Sequence, residues 1–418
     1  MDNRKPNKFL RFGNSIGANR MVMALSIARL GDAIGNSILI IIIPLYVAKL
    51  PAPWLPLPQT VRVGLLISVF GLINALLQPL MGALSDKLEK RKLFIFLGLV
   101  LMGLATIGFI PANQYIDLIF LRILQGIGVA VTVPASMALM ADASPKELRG
   151  SAMGIYSTLR MVGFAVGPLI GGILIDRYGF PITYLAGAFF IVLGIIAVLL
   201  WVQDIKPKPS LKTAVKFRIF DRNLINMGVI GASVATFIMA SDYSMISALE
   251  NEFNARLNQG VFAFGVAFSA LIISRLIFQI PLGHLSDQLG RKPLIISGLI
   301  FMAPATFLLG IVATSFQFTA VRVLQGIASA AIAAPAFALA ADFSHSEGAG
   351  RQMSIVTMGF GLGVALGPLL TGALAIYDFL LPFIIAGIIT IISAVFISRY
   401  VPDKFKELKS VRADDPPS

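Results

Sequence analysis

Twelve runs of about twenty predominantly apolar residues limit what this chain can fold into. A helix of ~20 such residues crosses a hydrocarbon core ~30 Å thick. The chain is 57% hydrophobic and only 13% charged, outside the usual mix of a soluble domain. The sequence therefore predicts an all-α polytopic membrane protein with twelve transmembrane helices. Their approximate spans are 21–48, 63–84, 93–110, 116–140, 151–175, 182–202, 224–249, 261–283, 294–313, 316–340, 354–376 and 380–400.

The positions of the basic residues decide how the net charge of +13 is interpreted. With the N-terminus inside, the predicted inner segments hold 25 of the 34 Lys and Arg, and the outer segments hold four, Lys49, Arg62, Arg177 and Arg256. This is the positive-inside bias, which places both termini in the cytoplasm of a multi-pass protein of the cell membrane. The bias accounts for the basicity without a nucleic-acid partner. The chain has no cysteine, which excludes thiol catalysis and Cys metal sites, and we expect no bound metal.

A repeat divides the chain into two halves. Residues 203–223 form a basic, Pro-bearing linker, which separates a six-helix bundle at 1–202 from a second one at 224–418. Matching residues recur at an offset of 200 or 201, namely Gly82 and Gly283, Asp86 and Asp287, Arg122 and Arg322, Gln125 and Gln325, Asp142 and Asp342, and Pro168 and Pro368. Parallel repeats of this kind predict two pseudo-symmetric bundles with a substrate site between them near the midplane.

A charged loop motif follows the second span of each half. The first copy has Gly82, Asp86 and Arg91 with Glu89 in the position of a glycine, and the second has Gly283, Asp287, Gly290 and Arg291. This pattern resembles the loop motif G-x-L-[SA]-D-[RK]-x-G-[RK]-[RK] of the major facilitator superfamily, and the resemblance covers nearly the whole chain. It implies a major facilitator fold.

In that family the motif aspartate is expected to meet the start of helix 11 and an arginine at the start of helix 5. Arg149 occupies that arginine position, and Arg351 is its repeat mate. The resemblance thus implies a cytoplasmic gate, with the alternative that the charges only anchor helix ends in the headgroups. The gate residues are Gly82, Asp86, Arg91, Arg149, Gly283, Asp287, Gly290, Arg291 and Arg351.

The fifth span carries a glycine pattern, G-x8-G-x3-G-P-x2-G-G. Its residues are Gly154, Gly163, Gly167, Pro168, Gly171 and Gly172. Small residues let helices approach closely and Pro bends them. By resemblance, this pattern marks antiporters, in particular drug:proton exporters. The second half keeps an incomplete version, for which tight packing is the better interpretation.

Ionisable side chains inside the spans are candidates for proton coupling, because a charge at the bilayer centre is costly. Arg122 resembles the helix 4 arginine of proton-coupled exporters, and Asp32 the helix 1 acid of drug:proton antiporters. We predict that Asp32 binds a proton or a substrate cation near Arg122, although a depth count separates the two by about 15 Å. Asp242 and Arg322 match in depth and form a second candidate pair. The alternative for each acid is a static pair that joins helices.

Other polar residues are candidates for the substrate cavity. Arg29 lies near an inner end, where it can snorkel. Arg160 and Arg275 lie deeper, where they either contact an anionic or polar group of the substrate or pair with backbone carbonyls or motif charges. The complete set of predicted cavity residues is Asn36, Asn74, Gln78, Gln125, Tyr156, Arg160, Arg275 and Gln279.

These features together predict a secondary active transporter. We expect proton-coupled efflux of small amphipathic compounds by alternating access, with the proton as coupling ion, no other cofactor and a monomeric chain. A metabolite, sugar or organic-anion carrier of the same fold is the alternative. An intramembrane enzyme is disfavoured because the sequence shows no HExxH and no Ser/Lys or paired-Asp spacing. A non-transporting sensor is disfavoured because no sizeable soluble domain is evident.

Overall fold

A computed structural model describes residues 19–145, 148–205, 226–343 and 349–403, excluding the side chains of 349–351. These residues form α-helices with short connections and no strand, so the prediction of an all-α protein is confirmed. Eleven of the helices are long and apolar enough to cross a membrane. The helices of the first half are α1 (Arg20–Lys49), α2 (Gln59–Leu88), α3 (Arg91–Gly108), α4 (Tyr115–Ala143) and the continuous segment Arg149–Trp201.

The segment Arg149–Trp201 contains two spans. Its 53 residues would extend about 80 Å as one straight helix, more than twice the hydrocarbon thickness. Gly179 interrupts it with φ 76° and ψ −173°, a conformation open to glycine but strained for other residues. Pro181 follows within the first turn of the next span, where its missing N–H costs nothing. We therefore distinguish α5 (149–178) and α6 (180–201), which gives the six predicted spans of the first half.

The second half begins with an interrupted helix. Its helices are α7 (Met227–Ser244), α8 (Val261–Leu289), α9 (Arg291–Leu309), α10 (Ser315–Asp342), α11 (Ala349–Leu374) and α12 (Leu381–Tyr400). After α7 come a 3₁₀ turn, Met245–Ala248, and a short helix, Glu250–Arg256. The sequence predicted one span to residue 249, and the structure replaces its last turn by the tighter 3₁₀ turn.

Contacts between Cα atoms divide the chain into two compact units. Among the described residues, unit 1 comprises 19–55 and 72–205, and unit 2 comprises 56–71 and 226–403. Helix α2 is therefore shared between them. Its first turns pack on α11 within unit 2, where Thr60 Oγ1 donates to Gly372 O at 2.9 Å.

Helices α1 and α7 occupy equivalent places in their units. Asn19 caps α1 by accepting from Val22 N at 2.8 Å and donates through Nδ2 to Ala143 O of α4. Asn226 caps α7 in the same way and donates to Phe343 O, just after α10. The two caps are 207 residues apart, whereas the other motifs repeat at 200 or 201. Seven extra residues correspond to about two helical turns, so the same face of each helix remains in register.

Glycines of α5 and α11 bring these helices against α1 and α7. A Cβ built on Gly163 would lie 2.6 Å from Ala33 Cβ, and one on Gly363 would lie 2.8 Å from Ala240 Cβ. Ala33 and Ala240 are again 207 residues apart. The glycine pattern of α5 and its incomplete copy in α11 therefore make the same close helix contact.

Candidate functional site

Arg91 joins the first charged loop to the end of α4. Its guanidinium contacts Asp86 at 2.8 Å and also forms an ion pair with Asp142. The resemblance had implied that Asp86 meets Arg149, but Arg149 Nε donates to Ala141 O at 2.9 Å, so this expectation is wrong for the structure. Because a guanidinium has several donors, Arg91 alone serves both carboxylates.

The second loop repeats this arrangement in unit 2. Arg291 pairs with Asp287, and its Nε lies 3.5 Å from Asp342. It also donates to Ser286 Oγ at 2.7 Å. The predicted gate residue Arg351 belongs to α11, but its side chain lies outside the described residues.

The turn that places Arg91 needs a left-handed residue. Gly290 meets this requirement in the second loop with φ 98°, and Glu89 adopts φ 54° at the equivalent position. The first loop therefore keeps a positive φ at this position despite losing its glycine. A Cβ on Gly82 would lie 3.3 Å from Pro134, whereas Gly283 has open space around it.

Asp32 is buried in α1, with 2% of its surface exposed. It accepts a hydrogen bond from Arg29 Nη1, one turn earlier on the same helix. The predicted proximity to Arg122 is therefore wrong as a contact, since the nearer guanidinium takes the carboxylate. Arg29 is itself buried and lies 5.9 Å from the ring of Tyr156, so it does not snorkel as expected.

Arg122 and Arg322 take part in two matching hydrogen-bond chains. Arg122 Nη1 donates to Gln125 Oε1 at 3.0 Å, and Gln125 Nε2 donates to Thr106 Oγ1 at 3.0 Å. In unit 2 the corresponding distances are 2.7 Å from Arg322 to Gln325 and 3.0 Å from Gln325 to Thr306. Both arginines are buried. Each chain joins two helices, α3 with α4 and α9 with α10.

Asp242 is buried in α7, also with 2% exposure. Its Oδ2 accepts from Thr306 Oγ1 at 3.2 Å and from Thr390 Oγ1 at 2.8 Å. The predicted direct pair with Arg322 does not form in the described structure, because Thr306 and Gln325 stand between the two charges. Sequence reasoning missed Thr306 and Thr390, although Thr106 and Thr306 recur at the offset of 200.

The predicted cavity residues fall into separate groups. Gln78 Nε2 donates to Asn74 Oδ1 at 3.1 Å on α2, and Asn36 is half-buried on α1. Arg160 lies 5.4 Å from the ring of Phe164 on the same helix. Arg275 and Gln279 are half-buried on α8. Both Arg275 Nε and Gln279 Oε1 lack a hydrogen-bond partner among the described residues.

One further buried acid follows the seventh span. Glu250 has no exposed surface, and neither of its carboxyl oxygens has a hydrogen-bond partner within the described ranges. Burial disfavours its charged form and raises the pKa of Glu250 well above its usual value. No sequence motif singled out this residue, since its burial depends on the 3₁₀ turn before it.

Comparisons with known proteins agree with this architecture. The chain is 27% identical over 317 residues to the multi-drug resistance efflux pump PmrA of Streptococcus pneumoniae, covering 75% of this chain and 79% of PmrA. It is 27% identical over 340 residues to the multidrug resistance protein MdtG of Escherichia coli, covering 80% and 83%.

A bacterial homologue of the human lysosomal transporter Spinster, solved in an inward-facing and occupied conformation, shares the fold. Its TM-score is 0.74 at 17% identity, covering 91% of this chain and 96% of that one. The family profile described as Major Facilitator Superfamily matches residues 25–227 and 232–416, nearly the whole 418-residue chain. The resemblance in the loop motifs is thereby confirmed, and the protein belongs to the Major Facilitator Superfamily of membrane transporters.

Proposed function

We propose that this transporter exports small amphipathic compounds in exchange for protons by alternating access. The observation that carries the proposal is the pair of carboxyl groups, Asp32 and Asp242, buried inside apolar spans with 2% exposure each. A charge inside a membrane span is costly, and one that persists there is a candidate for function. The proton is the coupling ion, and no other cofactor is needed.

The two acids have environments suited to a change of charge. Asp32 contacts the guanidinium of Arg29, and Asp242 contacts two neutral hydroxyl groups. Protonation removes the negative charge, so it weakens the bond between Asp32 and Arg29 within α1 and the bonds that join Asp242 on α7 to α9 and α12. A transporter that binds and releases a proton at such a group can couple the proton to a rearrangement.

The names of the relatives favour export from the cytoplasm. PmrA and MdtG are both named as multidrug resistance proteins. The positive-inside bias supports a chain in the cell membrane with both termini in the cytoplasm, and we propose that it acts as a monomer. Each proton that enters provides about 2.3 kcal/mol per 100 mV of membrane potential, and about 1.4 kcal/mol per pH unit. One proton therefore sustains a tenfold or larger gradient of exported compound.

Export of ethidium from proteoliposomes under an imposed pH gradient tests the proposal. We expect a protonophore to abolish gradient-driven export, and Asp32→Asn or Asp242→Asn to weaken it at least tenfold. The exposed Asp176, which lies at the end of α5, provides the control Asp176→Asn. Export that continues unchanged with the protonophore and in both buried-acid variants would contradict proton coupling.

Arg275 favours a second candidate, an organic-anion carrier of the same fold. Its half-buried guanidinium has an Nε without a hydrogen-bond partner among the described residues, which suits an anionic group. Counterflow with an anionic and a cationic dye separates the candidates. Uptake of the anionic dye alone, lost in Arg275→Gln and retained in Arg275→Lys, would favour the anion carrier.

A further inference from the structure

We propose that Thr306 and Gln325 are positioning residues that couple the charge state of Asp242 to Arg322, and that the matching residues of unit 1 do not have this role. This inference deepens the proposed function and rests on it. It concerns the hydrogen-bond chain from α10 through α9 to α7, here called the relay, which consists of Arg322, Gln325, Thr306 and Asp242.

The direction of every hydrogen bond in the relay is fixed by its first member. A guanidinium has donors only, so Gln325 must present its oxygen to Arg322 and its amide nitrogen to Thr306. The Thr306 oxygen then accepts, and its hydrogen is free to donate to Asp242 Oδ2 at 3.2 Å. The relay thus has a donor at one end and requires an acceptor at the other. A carboxylate is the strongest acceptor that a side chain offers.

Protonation of Asp242 changes the strength of the relay. Hydrogen bonds to a charged acceptor are roughly twice as strong as those between neutral groups. A charged Asp242 therefore aligns Thr306 and Gln325 toward itself and offsets the positive charge of Arg322 across two neutral groups. A proton on Oδ1 removes the charge but leaves Oδ2 able to accept, so the relay weakens without losing its connections. Arg322 is then held less firmly to α9 and α7.

Unit 1 contains the same chain without the acid. Thr106 Oγ1 donates to Met102 O of its own helix at 2.8 Å instead of to a carboxylate. At the offset of 207 that relates α1 to α7, the residue equivalent to Asp242 is Gly35. A Cβ on Gly35 would lie 2.8 Å from Gly187 O of α6, so no side chain fits there without a shift. The two halves therefore differ at the one position that makes the relay sensitive to a proton.

Arg322 is the charged group that faces Asp242 from inside the surrounding bundle. Helices α9, α10, α11 and α12 pack on α7. Their other described charged or titratable side chains lie at helix ends, namely Arg291 and Lys292 on α9, Asp342 on α10, and Arg399 and Tyr400 on α12. Tyr243 is the neighbour of Asp242 on α7, and its carbonyl accepts from Arg322 at 3.1 Å.

Infrared difference spectroscopy of the full-length protein measures the relay directly. The absorbance of the C=O stretch of the protonated carboxyl is recorded across a pH series for the wild type and for Asp242→Asn. The difference between the two proteins gives the pH midpoint of the Asp242 titration. Thr306→Val removes one donor to the charged form, so we expect the midpoint to move up by about one pH unit. Thr306→Ser restores the donor and the wild-type midpoint. The matched control Thr106→Val leaves the midpoint in place.

Thr390→Val separates the charge of Asp242 from its link to Arg322. This variant removes the other donor to Oδ2, so the midpoint moves up similarly, but the relay stays connected. We therefore expect gradient-driven ethidium export to fall about tenfold in Thr306→Val and by a clearly smaller factor in Thr390→Val. Because the two substitutions lie on different helices, poor folding of one still leaves the other to be measured.

The outcomes distinguish this inference from the function on which it rests. Gradient-driven export by the wild type with an unmoved midpoint in Thr306→Val would contradict the relay alone. Equal shifts in Thr306→Val and Thr106→Val would also contradict it. An ethidium export rate of the wild type that is the same with and without the pH gradient would contradict the proposed function, and the inference with it.

Discussion

Glu250 gives the folded protein a stability that depends on pH. We expect Glu250→Gln to become more stable than the wild type as the pH rises. The carboxyl is fully buried without a hydrogen-bond partner among the described residues, and burial raises its pKa well above the 4.5 of an exposed glutamate. Glutamine has a similar shape and carries no charge at any pH, so it avoids the cost of burying a carboxylate.

The sign follows from the direction of the shift. The folded protein binds this proton more tightly than the unfolded chain does. The stabilising contribution is therefore fully present below about pH 4.5 and is lost as the pH rises toward the folded-state pKa. Within that window, each pH unit lowers the free energy of unfolding of the wild type by about 1.4 kcal/mol relative to Glu250→Gln.

Unfolding in detergent, followed by circular dichroism between about pH 5 and about pH 8, measures the difference. Glu252→Gln is the matched control. Burial also raises the pKa of Glu252, but a hydrogen bond from its own backbone and the nearby Arg256 oppose the rise. We expect a smaller pH dependence for this control. Stability curves for the wild type and Glu250→Gln that run parallel across the range would refute the reasoning.

Three further predictions concern the loop, the helix packing and the topology. Glu89→Gly should stabilise the folded protein by about 1 kcal/mol in the same unfolding assay, because it relieves a left-handed residue at φ 54°. Gly163→Ala should clearly lower the midpoint of thermal unfolding, because the added Cβ would lie 2.6 Å from that of Ala33. Gly154→Ala should leave the midpoint unchanged, because a Cβ there meets nothing within 4 Å. The chain has no cysteine, so single cysteines report topology. A membrane-impermeant thiol reagent should label Lys87→Cys only from the cytoplasmic side and Trp54→Cys only from outside, and the reverse pattern would contradict the positive-inside orientation.

The loop motifs show which ion pairs of a site can be predicted from local sequence. Asp86 and Arg91 are five residues apart across a tight turn, so their pairing follows from the chain between them. The second carboxylate on Arg91, that of Asp142, comes from the end of α4, and the expected partner Arg149 bonds a backbone carbonyl instead. Which of several nearby charges pair depends on how three helix ends meet. A motif does not contain that information.

The sequence by itself determined the helical fold, the apolar spans and the repeat, because a polypeptide in lipid needs about twenty apolar residues per crossing. It also identified Asp32, Asp242, Arg122 and Arg322 as charges that require compensation in that environment. The partner of Asp32, Arg29, lies three residues earlier on the same helix. Only the tertiary structure decided the partners of Asp242, because the packing of α9 and α12 on α7 brings two threonines to it. A buried side chain bonds whatever the packing of neighbouring helices brings within about 3 Å, and residues far apart in sequence supply those neighbours.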